Sequence, residues 1–493
     1  MSDEIRVRFA PSPTGFMHIG SVHTAMFNYL FARNVGGKFI LRIEDTDEVR
    51  STEESVGVIY SGLKWMEMEW DEGPDVGGPY SPYVQSERLD IYRKYLDQLL
   101  AEGKAYKCYC TREDLEEQRQ IMQARNLPPR YEGRCRTAEP REGAEYCIRL
   151  KVAETGKTAF NDLIQGEVVN ENALIGDPVI CKTSGFPTFH FAVVVDDYLM
   201  RISHVIRAAD HVPNTQIHVQ LQDALGFPHP QYAHLPLILG TDRTKLGKRH
   251  GSVSVVEYQE KGYLPEALFN FLALLGWSPG SEEEILSREE IVKRFTLEAC
   301  SKSPAVFDIE KAEWMNGEYI NRMGGEELAQ RVLPVLVEEG LFEAEPTPER
   351  RQWLAAVCEL MKERARLLTT FTTWARYFFS DEYEYENRAR EKWLGREDTP
   401  EKLEGMADRL AALPEWTAEA LEAAVRGEAE ARGVKAGEMI HPTRAAVSGT
   451  TVGPSLFHLL ELLPQETVVA RLRKTAELSR AGELAPLPEE VAE

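Results

Sequence analysis

The sequence lacks long hydrophobic runs. No stretch of about 18 apolar residues occurs in its 493 residues, which argues against a transmembrane helix. Residues 1–4 show no basic region that leads into an apolar one, so we expect no signal peptide and a cytoplasmic protein. Internal repeats and low-complexity segments are also missing, and the length predicts about three to four domains.

Cysteine is scarce, and acidic residues outnumber the cations. Seven cysteines, an odd number in a long chain, argue against a disulfide framework. A net charge of −23 does not favour a nucleic-acid partner, although a local basic stripe can bind RNA on an acidic protein. Part of the acidic excess lies in helix-like segments such as residues 419–430, where it is typical of solvated faces.

The beginning of the chain has a strand–turn–helix pattern. Residues 5–10 alternate as in a strand, a turn rich in proline and glycine follows, and the apolar period of residues 22–31 predicts a helix. His18 and Gly20 therefore stand at a helix N-terminus, a place that suits phosphate. His18 can donate a hydrogen bond to phosphate, and Gly20 lets a nucleotide approach the backbone. The alternative is an ordinary helix cap at His18.

Further strands and helices follow in alternation. Residues 38–43 predict a second strand, whose polar residues 44–47 stand where open α/β sheets place ligands. Residues 88–104 predict an amphipathic helix. The apolar runs at residues 191–195 and 203–208 predict two buried parallel strands.

The middle and the end of the chain have different compositions. Residues 107–190 hold five of the seven cysteines, many glycines and prolines, and short β-like runs such as residues 146–152, which indicates an inserted domain. A helical region begins at residues 264–276. From about residue 325 onward we find amphipathic helices and no convincing strand alternation.

A basic loop is the second strong feature. Residues 245–251 contain three cations, Lys245, Lys248 and Arg249, and two glycines. Two lysines three residues apart on such a loop can neutralise a triphosphate and its leaving pyrophosphate. By itself, this pattern favours an ordinary basic surface loop.

Together, the histidine–glycine helix start and the lysine loop resemble the two signature motifs of class I aminoacyl-tRNA synthetases. Further strings along the whole chain are similar to bacterial-type glutamyl-tRNA synthetase: residues 10–20, 42–47, 194–197, 204–207, 263–268 and 275–277. Archaeal-type glutamyl and glutaminyl enzymes carry a β-barrel anticodon domain, whereas the C-terminal third here is helical.

The resemblance implies an α/β protein with a Rossmann-type parallel-sheet catalytic domain, split between residues 1–106 and 191–255. Residues 107–190 would then form an inserted α+β domain that binds the tRNA acceptor stem and carries a zinc site. Residues 256–324 would form a helical domain that contacts the stem. Residues 325–493 would form an all-α anticodon-binding region.

The resemblance implies a glutamate–tRNA ligase, expected as a monomer that uses ATP and Mg²⁺. Glutamate attacks the α-phosphate of ATP to give glutamyl-adenylate and pyrophosphate, and the terminal ribose of tRNA-Glu then takes the glutamyl group. Two alternatives stay open: a divergent paralogue that charges tRNA-Gln, and a catalytically weak copy that binds tRNA and regulates. A tRNA-nucleoside glutamylase would lack the helical residues 325–493.

The resemblance also assigns site residues. Arg8 matches the arginine that pairs with the substrate side-chain carboxylate, which a planar guanidinium can bind through two hydrogen bonds. Ser12 and Glu44 match groups that hold the α-amino group. The complete glutamate-binding set is Arg8, Ala10, Ser12, Glu44, Phe189 and Arg207. The catalytic set is His18, Lys245 and Lys248, and the ATP-binding set is Gly15, His18, Gly20, Leu237, Ile238, Lys248 and Arg249.

Several positions near this site depart from the family pattern, among them Phe189, His190, Ala209 and Gly247. Phe189 stands where tyrosine is usual, so one hydrogen bond to glutamate is missing unless His190, where asparagine is usual, replaces it. In the C-terminal helices, Arg444 matches a plausible anticodon contact, although an arginine near a helix end is equally compatible.

Cys108, Cys110 and Cys135 resemble the zinc site of a subset of these enzymes. Three thiolates need a fourth ligand for a tetrahedral structural site. Some relatives have a histidine at the position of Thr137, whereas Tyr131 matches a tyrosine ligand of others. The resemblance therefore implies one structural zinc ion, and the alternative is three free buried cysteines.

Overall fold

The computed structural model of the protein describes residues 4–13, 15–46, 52–126, 129–139, 141–247, 249 and 254–487. The chain divides into two units, residues 1–260 with 265–312 and residues 261–264 with 313–493. Within the described ranges, no helix has both the length and the apolar character needed to span a membrane.

The eleven strands among the described residues are β1 (Arg6–Phe9), β2 (Lys38–Leu41), β3 (Ala105–Cys108), β4 (Cys147–Leu150), β5 (Lys157–Asp162), β6 (Gly166–Glu171), β7 (Val179–Cys181), β8 (His204–Ala208), β9 (Gln231–Leu235), β10 (Ile238–Leu239) and β11 (Ala305–Val306). The helices of the first unit are α1 (Ile19–Val35), α2 (Glu53–Trp65), α3 (Leu89–Ala101), α4 (Arg112–Ala124), α5 (Phe189–Leu199), α6 (Val212–Leu225), α7 (Val255–Glu260), α8 (Pro265–Leu274) and α9 (Arg288–Arg294). The boundary between the units falls within α10 (Ile309–Arg322).

The predicted strand–turn–helix start is confirmed. β1 pairs in parallel with β2, with Arg8 opposite Ile40, and α1 connects the two strands. α1 ends at Gly36, whose φ of 68° lies in the left-handed region that glycine adopts without steric cost. Both strands are almost completely buried, as expected for strands of a parallel sheet that is covered on its faces.

A second sheet has the strand order β6-β5-β9-β8. β8 and β9 are parallel, with Arg207 opposite His234, whereas β5 and β6 form an antiparallel hairpin. The start of β8 is linked to β1 because Ser203 N–H donates to the Arg6 carbonyl. Residues 157–171 thus share a sheet with β8 and β9, although they lie within the predicted insert. The four-part domain division stays a prediction.

The strand predicted at residues 191–195 is wrong. These residues lie in helix α5, and Asp196 and Asp197 belong to the same helix instead of following a strand. α5 is buried on all sides from Phe191 to Asp197. It therefore has no polar stripe, and a short continuous apolar run does not distinguish a buried helix from a buried strand.

The second unit is helical, as predicted. Its helices after α10 are α11 (Gly325–Glu338), α12 (Pro348–Met361), α13 (Asn387–Ala389), α14 (Thr399–Ala411), α15 (Ala418–Ala431), α16 (Gly437–Ser448), α17 (Leu456–Glu461) and α18 (Gln465–Arg480). Among the described residues from 325 to 487, no strand is present. α12 begins with Thr347 as N-cap and Pro348 at the first helical position, a favourable helix start because proline lacks the N–H that would be unpaired there.

Candidate active site

An open cavity of about 490 Å³ lies where β1 and β8 end and α1 begins. The structure brings most of the predicted site residues together around it. Those that line it are Arg8, Ala10, Ser12, His18, Gly20, Glu44, Phe189, Arg207, Leu237, Ile238 and Lys245. Segments up to 237 residues apart in sequence therefore form one site.

Two of the predicted ATP contacts that the structure describes, Gly15 and Arg249, are not among the residues that line the cavity. Gly15 lies outside it, in a turn with φ of 122° that favours glycine. Arg249 is exposed, forms an ion pair with Asp242 at 3.4 Å and hydrogen-bonds Thr244. Lys248 lies outside the described residues.

His18 fits both interpretations of the sequence, because it caps a helix and can also donate a hydrogen bond into the cavity. It is the N-cap of α1, and its Nδ1 accepts the backbone N–H of Gly20 at 3.0 Å. Burial, helped by the nearby charge of Lys245, lowers the pKa of His18. The neutral ring therefore carries its proton on Nε2, where it can donate to a ligand in the cavity. The cap thus orients the Nε2–H donor of His18.

Lys245 has a partner that the sequence did not reveal. Its Nζ lies 2.7 Å from Oδ2 of Asp210, which also lines the cavity. The lysine side chain is 69% exposed, and an exposed ion pair contributes at most about 1 kcal/mol. A phosphate group can therefore displace the carboxylate from Lys245 at little cost.

A buried ion network supports the floor of the cavity. Arg8 donates from Nε and Nη2 to the two carboxylate oxygens of Asp197, at 3.1 and 3.3 Å. Arg42 donates to Oδ1 of Asp197 at 2.7 Å and to Glu44 at 2.9 Å. Burial would raise the pKa of Asp197, but the charges of Arg8 and Arg42 outweigh this effect and lower it. Asp197 thus orients Arg8 and stays ionised.

Arg207 differs from Arg8 because its guanidinium has only neutral partners. It is 6% exposed, and no described carboxylate forms an ion pair with it. Its Nη2 donates to Oγ1 of Thr215 at 2.7 Å, and its Nε donates to Nε2 of His234 at 3.2 Å. Burial, reinforced by the charge of Arg8, lowers the pKa of Arg207 to about 10. The group remains charged at neutral pH, so the cavity contains an uncompensated cation that favours an anionic ligand.

Phe189 lines the cavity, whereas His190 is not among the residues that line it, and its replacement of the missing hydroxyl stays a prediction. Nδ1 of His190 lies 3.1 Å from Nε2 of His218, and Nδ1 of His218 lies 3.3 Å from Nη2 of Arg207. Another histidine, His211, lines the cavity with its ring centroid 6.1 Å from that of Phe189. His211 is not among the predicted site residues.

The comparisons with known proteins agree with this geometry. Residues 4–314 match the family model "tRNA synthetases class I (E and Q), catalytic domain", and residues 327–476 match "Anticodon binding domain". The chain is 47% identical to a glutamate–tRNA ligase of Moorella thermoacetica, over 96% of this chain and 98% of the relative. It is 46% identical to one of Elusimicrobium minutum, over 97% and 99% of the two chains. The chain belongs to the glutamyl-tRNA synthetase family.

A solved structure of this family supports the assignment. The crystal structure of a glutamate tRNA ligase from Elizabethkingia meningosepticum, in complex with its amino acid, superimposes with a TM-score of 0.85. The two chains are 35% identical, and the match covers 96% of this chain and 99% of the other. The class I synthetase fold with a helical anticodon-binding region is therefore confirmed.

The cysteines that resemble a family zinc site lie together. The sulfur atoms of Cys108, Cys110 and Cys135 are all within 4.8 Å of one another. The hydroxyl of Tyr131 is 3.4 Å from the sulfurs of both Cys108 and Cys110. Cys147, which is not among the predicted ligands, is the cross-strand partner of Cys108 and packs against the same cluster. In the sequence, nothing marked Cys147 as a ligand except that it is a cysteine in the predicted insert.

Arg444, the predicted anticodon contact of this synthetase, is largely buried. It lies within α16, is 9% exposed, and donates from Nη1 to the carbonyl of Pro454 at 2.7 Å. The side chain therefore offers little surface to an RNA base, and it holds the 449–455 loop against α16. Its role in anticodon binding stays a prediction.

Proposed function

We propose that this cavity is the place where the chain, a glutamate–tRNA ligase, joins L-glutamate to AMP. One observation supports this most strongly: a cationic end and a phosphate-binding end face the same cavity. Arg8 and Arg207 form the first, and His18 and Lys245 form the second. An acidic amino acid and a nucleotide can thus be bound side by side.

Arg8 and Arg207 bind carboxylate oxygens of glutamate in this proposal. Glu44 and Ser12 hold its α-amino group, since both line the cavity. Burial raises the pKa of Glu44 above its ordinary value, against the lowering effect of Arg42. A bound ammonium group would favour the ionised carboxylate, so the amino acid would contribute to the charge balance of its own site.

The nucleotide is bound at the other end. The family uses ATP with Mg²⁺, which binds largely through substrate phosphates. His18 donates from Nε2, and Lys245 neutralises phosphate charge with help from Lys248 and Arg249. Positioning and electrostatic stabilisation carry the reaction, because glutamate itself is the nucleophile. Leu237 and Ile238 contact the adenine ring.

Pyrophosphate exchange with ATP, tRNA and either glutamate or glutamine tests the amino-acid assignment. We expect exchange with glutamate to exceed exchange with glutamine by about 10³-fold or more, because glutamine leaves buried cations uncompensated. Preferred exchange with glutamine would overturn the assignment. Tight tRNA binding without any exchange would instead favour a regulatory copy.

We propose tRNA-Glu as the partner of the anticodon-binding region. Charging assays with purified tRNA-Glu and tRNA-Gln test this choice. Efficient charging of tRNA-Glu alone supports it. Equal or better charging of tRNA-Gln would show a broader or divergent enzyme.

We also propose that Cys108, Cys110, Cys135 and Tyr131 bind one structural zinc ion. Their arrangement fits, because Cys110 and Cys135 sulfurs lie 3.5 Å apart and the phenol oxygen contacts two thiols. Zinc prefers four ligands of this kind in a tetrahedron. The guanidinium of Arg149 lies 3.8 Å from the Tyr131 ring centroid, where it can offset the negative charge of such ligands.

We expect about one zinc per chain in protein purified from zinc-containing medium, measured by elemental analysis. Cys135→Ser should remove most of the zinc and lower the melting temperature, because metal binding contributes to folding free energy. Cys300→Ser, which changes another buried cysteine, is the matched control and should keep the zinc. Equal zinc content in both variants would contradict the site. Loss of zinc in Tyr131→Phe would support Tyr131 as the fourth ligand, whereas loss of zinc only in Cys147→Ser would show that Cys147, opposite Cys108 on β4, takes that place.

A further inference from the structure

Arg207 belongs to a buried chain of hydrogen bonds that continues beyond the cavity. Its Nε donates to Nε2 of His234, and Nδ1 of His234 lies 2.5 Å from Oδ2 of Asp162. The side chains of His234 and Asp162 are both completely buried. Neither residue lines the cavity, so both act on a ligand only through Arg207.

The contacts of Asp162 determine which nitrogen of His234 carries the proton. Oδ1 of Asp162 accepts three backbone N–H groups, from Ile164, Gln165 and His234, at 2.9, 2.8 and 3.2 Å. Burial would raise the pKa of Asp162, but its hydrogen bonds with His234 and these N–H groups lower it. The ionised carboxylate therefore accepts Nδ1–H of His234, and Nε2 keeps its lone pair for Arg207.

We propose that Asp162 and His234 are positioning residues that hold Arg207 for the glutamate carboxylate. This inference rests on the proposed role of Arg207 in glutamate binding. A carboxylate beside Arg207 would orient it equally well, but it would also neutralise the charge that the substrate needs. A neutral histidine orients the guanidinium of Arg207 without neutralising its positive charge. The carboxylate of Asp162 contacts the histidine and not the arginine.

Asp162→Asn tests the protonation state specifically. The three N–H donors keep the amide oxygen at the Oδ1 position, so the amide NH₂ takes the Oδ2 position and faces Nδ1 of His234. The ring must then accept at Nδ1 and carry its proton on Nε2, opposite Nε–H of Arg207. Nε2–H could then donate to Oγ1 of Thr215, which lies 3.1 Å away, but Nε–H of Arg207 would face a donor and lose its acceptor in a buried place, which is strongly unfavourable.

We expect Asp162→Asn to raise the KM for glutamate by about tenfold or more, since an unpaired buried donor has a cost of this order. The KM for ATP should change less than about twofold. A role limited to stability would lower the yield or kcat and leave both KM values unchanged. Asp177→Asn, at another fully buried carboxylate, is the matched control and should leave the KM for glutamate unchanged.

A second variant, His234→Gln, separates the proposed effect of Asp162 from a general loss of structure. In His234→Gln, the side-chain amide can rotate its oxygen toward Arg207 whatever residue occupies position 162. Adding Asp162→Asn to His234→Gln should therefore raise the KM for glutamate less than about twofold, against about tenfold in the wild-type background. Equal effects of Asp162→Asn in both backgrounds would overturn the proposal. If Arg207→Met also leaves the KM for glutamate unchanged, the proposed substrate role of Arg207 itself fails.

Discussion

Replacing Arg207 with methionine is expected to lower kcat/KM for glutamate by about 10³-fold. Methionine keeps much of the side-chain volume but removes the cation that no described carboxylate neutralises. The glutamate carboxylate would then be buried without its charge-assisted hydrogen bonds, and sites built on such bonds discriminate by about 10⁴-fold when one side is missing. Pyrophosphate exchange at varied glutamate concentrations measures the effect.

Arg6→Met is the matched control for this substitution. Arg6, on β1, is buried like Arg207. In contrast to Arg207, it forms an ion pair with Glu72 at 2.7 Å and does not line the cavity. Its replacement should lower stability and leave the KM for glutamate unchanged. A kcat/KM for glutamate that stays within about twofold of wild type in Arg207→Met would refute the assignment of Arg207.

Asp197→Asn is expected to destabilise the first unit by about 3–5 kcal/mol, because removing one partner from a buried ion pair leaves uncompensated charge. Two guanidinium groups, those of Arg8 and Arg42, would face a neutral amide. Hydrogen exchange of peptides that cover residues 38–44 and 189–199 measures the loss within this unit.

The matched control for Asp197 is Asp90→Asn. Asp90 is 97% exposed and pairs with Arg93 on the surface, so its replacement should change local stability by less than about 1 kcal/mol. Equal protection from exchange in Asp197→Asn and wild type would show that the buried network does not stabilise the fold.

The stabilising effect of Asp197 should depend on pH. Because the folded-state pKa lies below the ordinary value, the ionised carboxylate stabilises the fold at pH values above the unfolded pKa of about 3.9. This contribution is lost as the pH falls through the lower folded-state pKa. The difference in stability between wild type and Asp197→Asn should therefore be constant near neutral pH and decrease below about pH 4.

The two ends of the active site could be predicted from the sequence because each one rests on a local signal. His18 and Gly20 follow a strand and precede a helix, and three cations lie within seven residues of the lysine loop. Strand–turn–helix order and charge density are properties of neighbouring residues, so periodicity reveals them. The family resemblance then connected these two signals with Arg8 and Arg207.

The helix α5 could not be identified in this way. A completely buried helix has the same apolar composition as a buried strand, and only the packing around it determines which one forms. Asp196 and Asp197 directly follow the apolar run that was predicted to be this strand. They are helix residues whose partners, such as Arg88 and Arg42, lie more than 100 residues earlier in the chain.

The sequence by itself determined which chemical groups this synthetase has and where its strand–turn–helix start and basic loop lie. Only the tertiary structure decided which charges are neutralised. Arg8 is paired with the carboxylate of Asp197, whereas Arg207 donates to His234, which in turn is hydrogen-bonded to Asp162. The physical reason is that charge compensation depends on distances of a few ångströms between distant segments, and local sequence patterns contain no information on those distances.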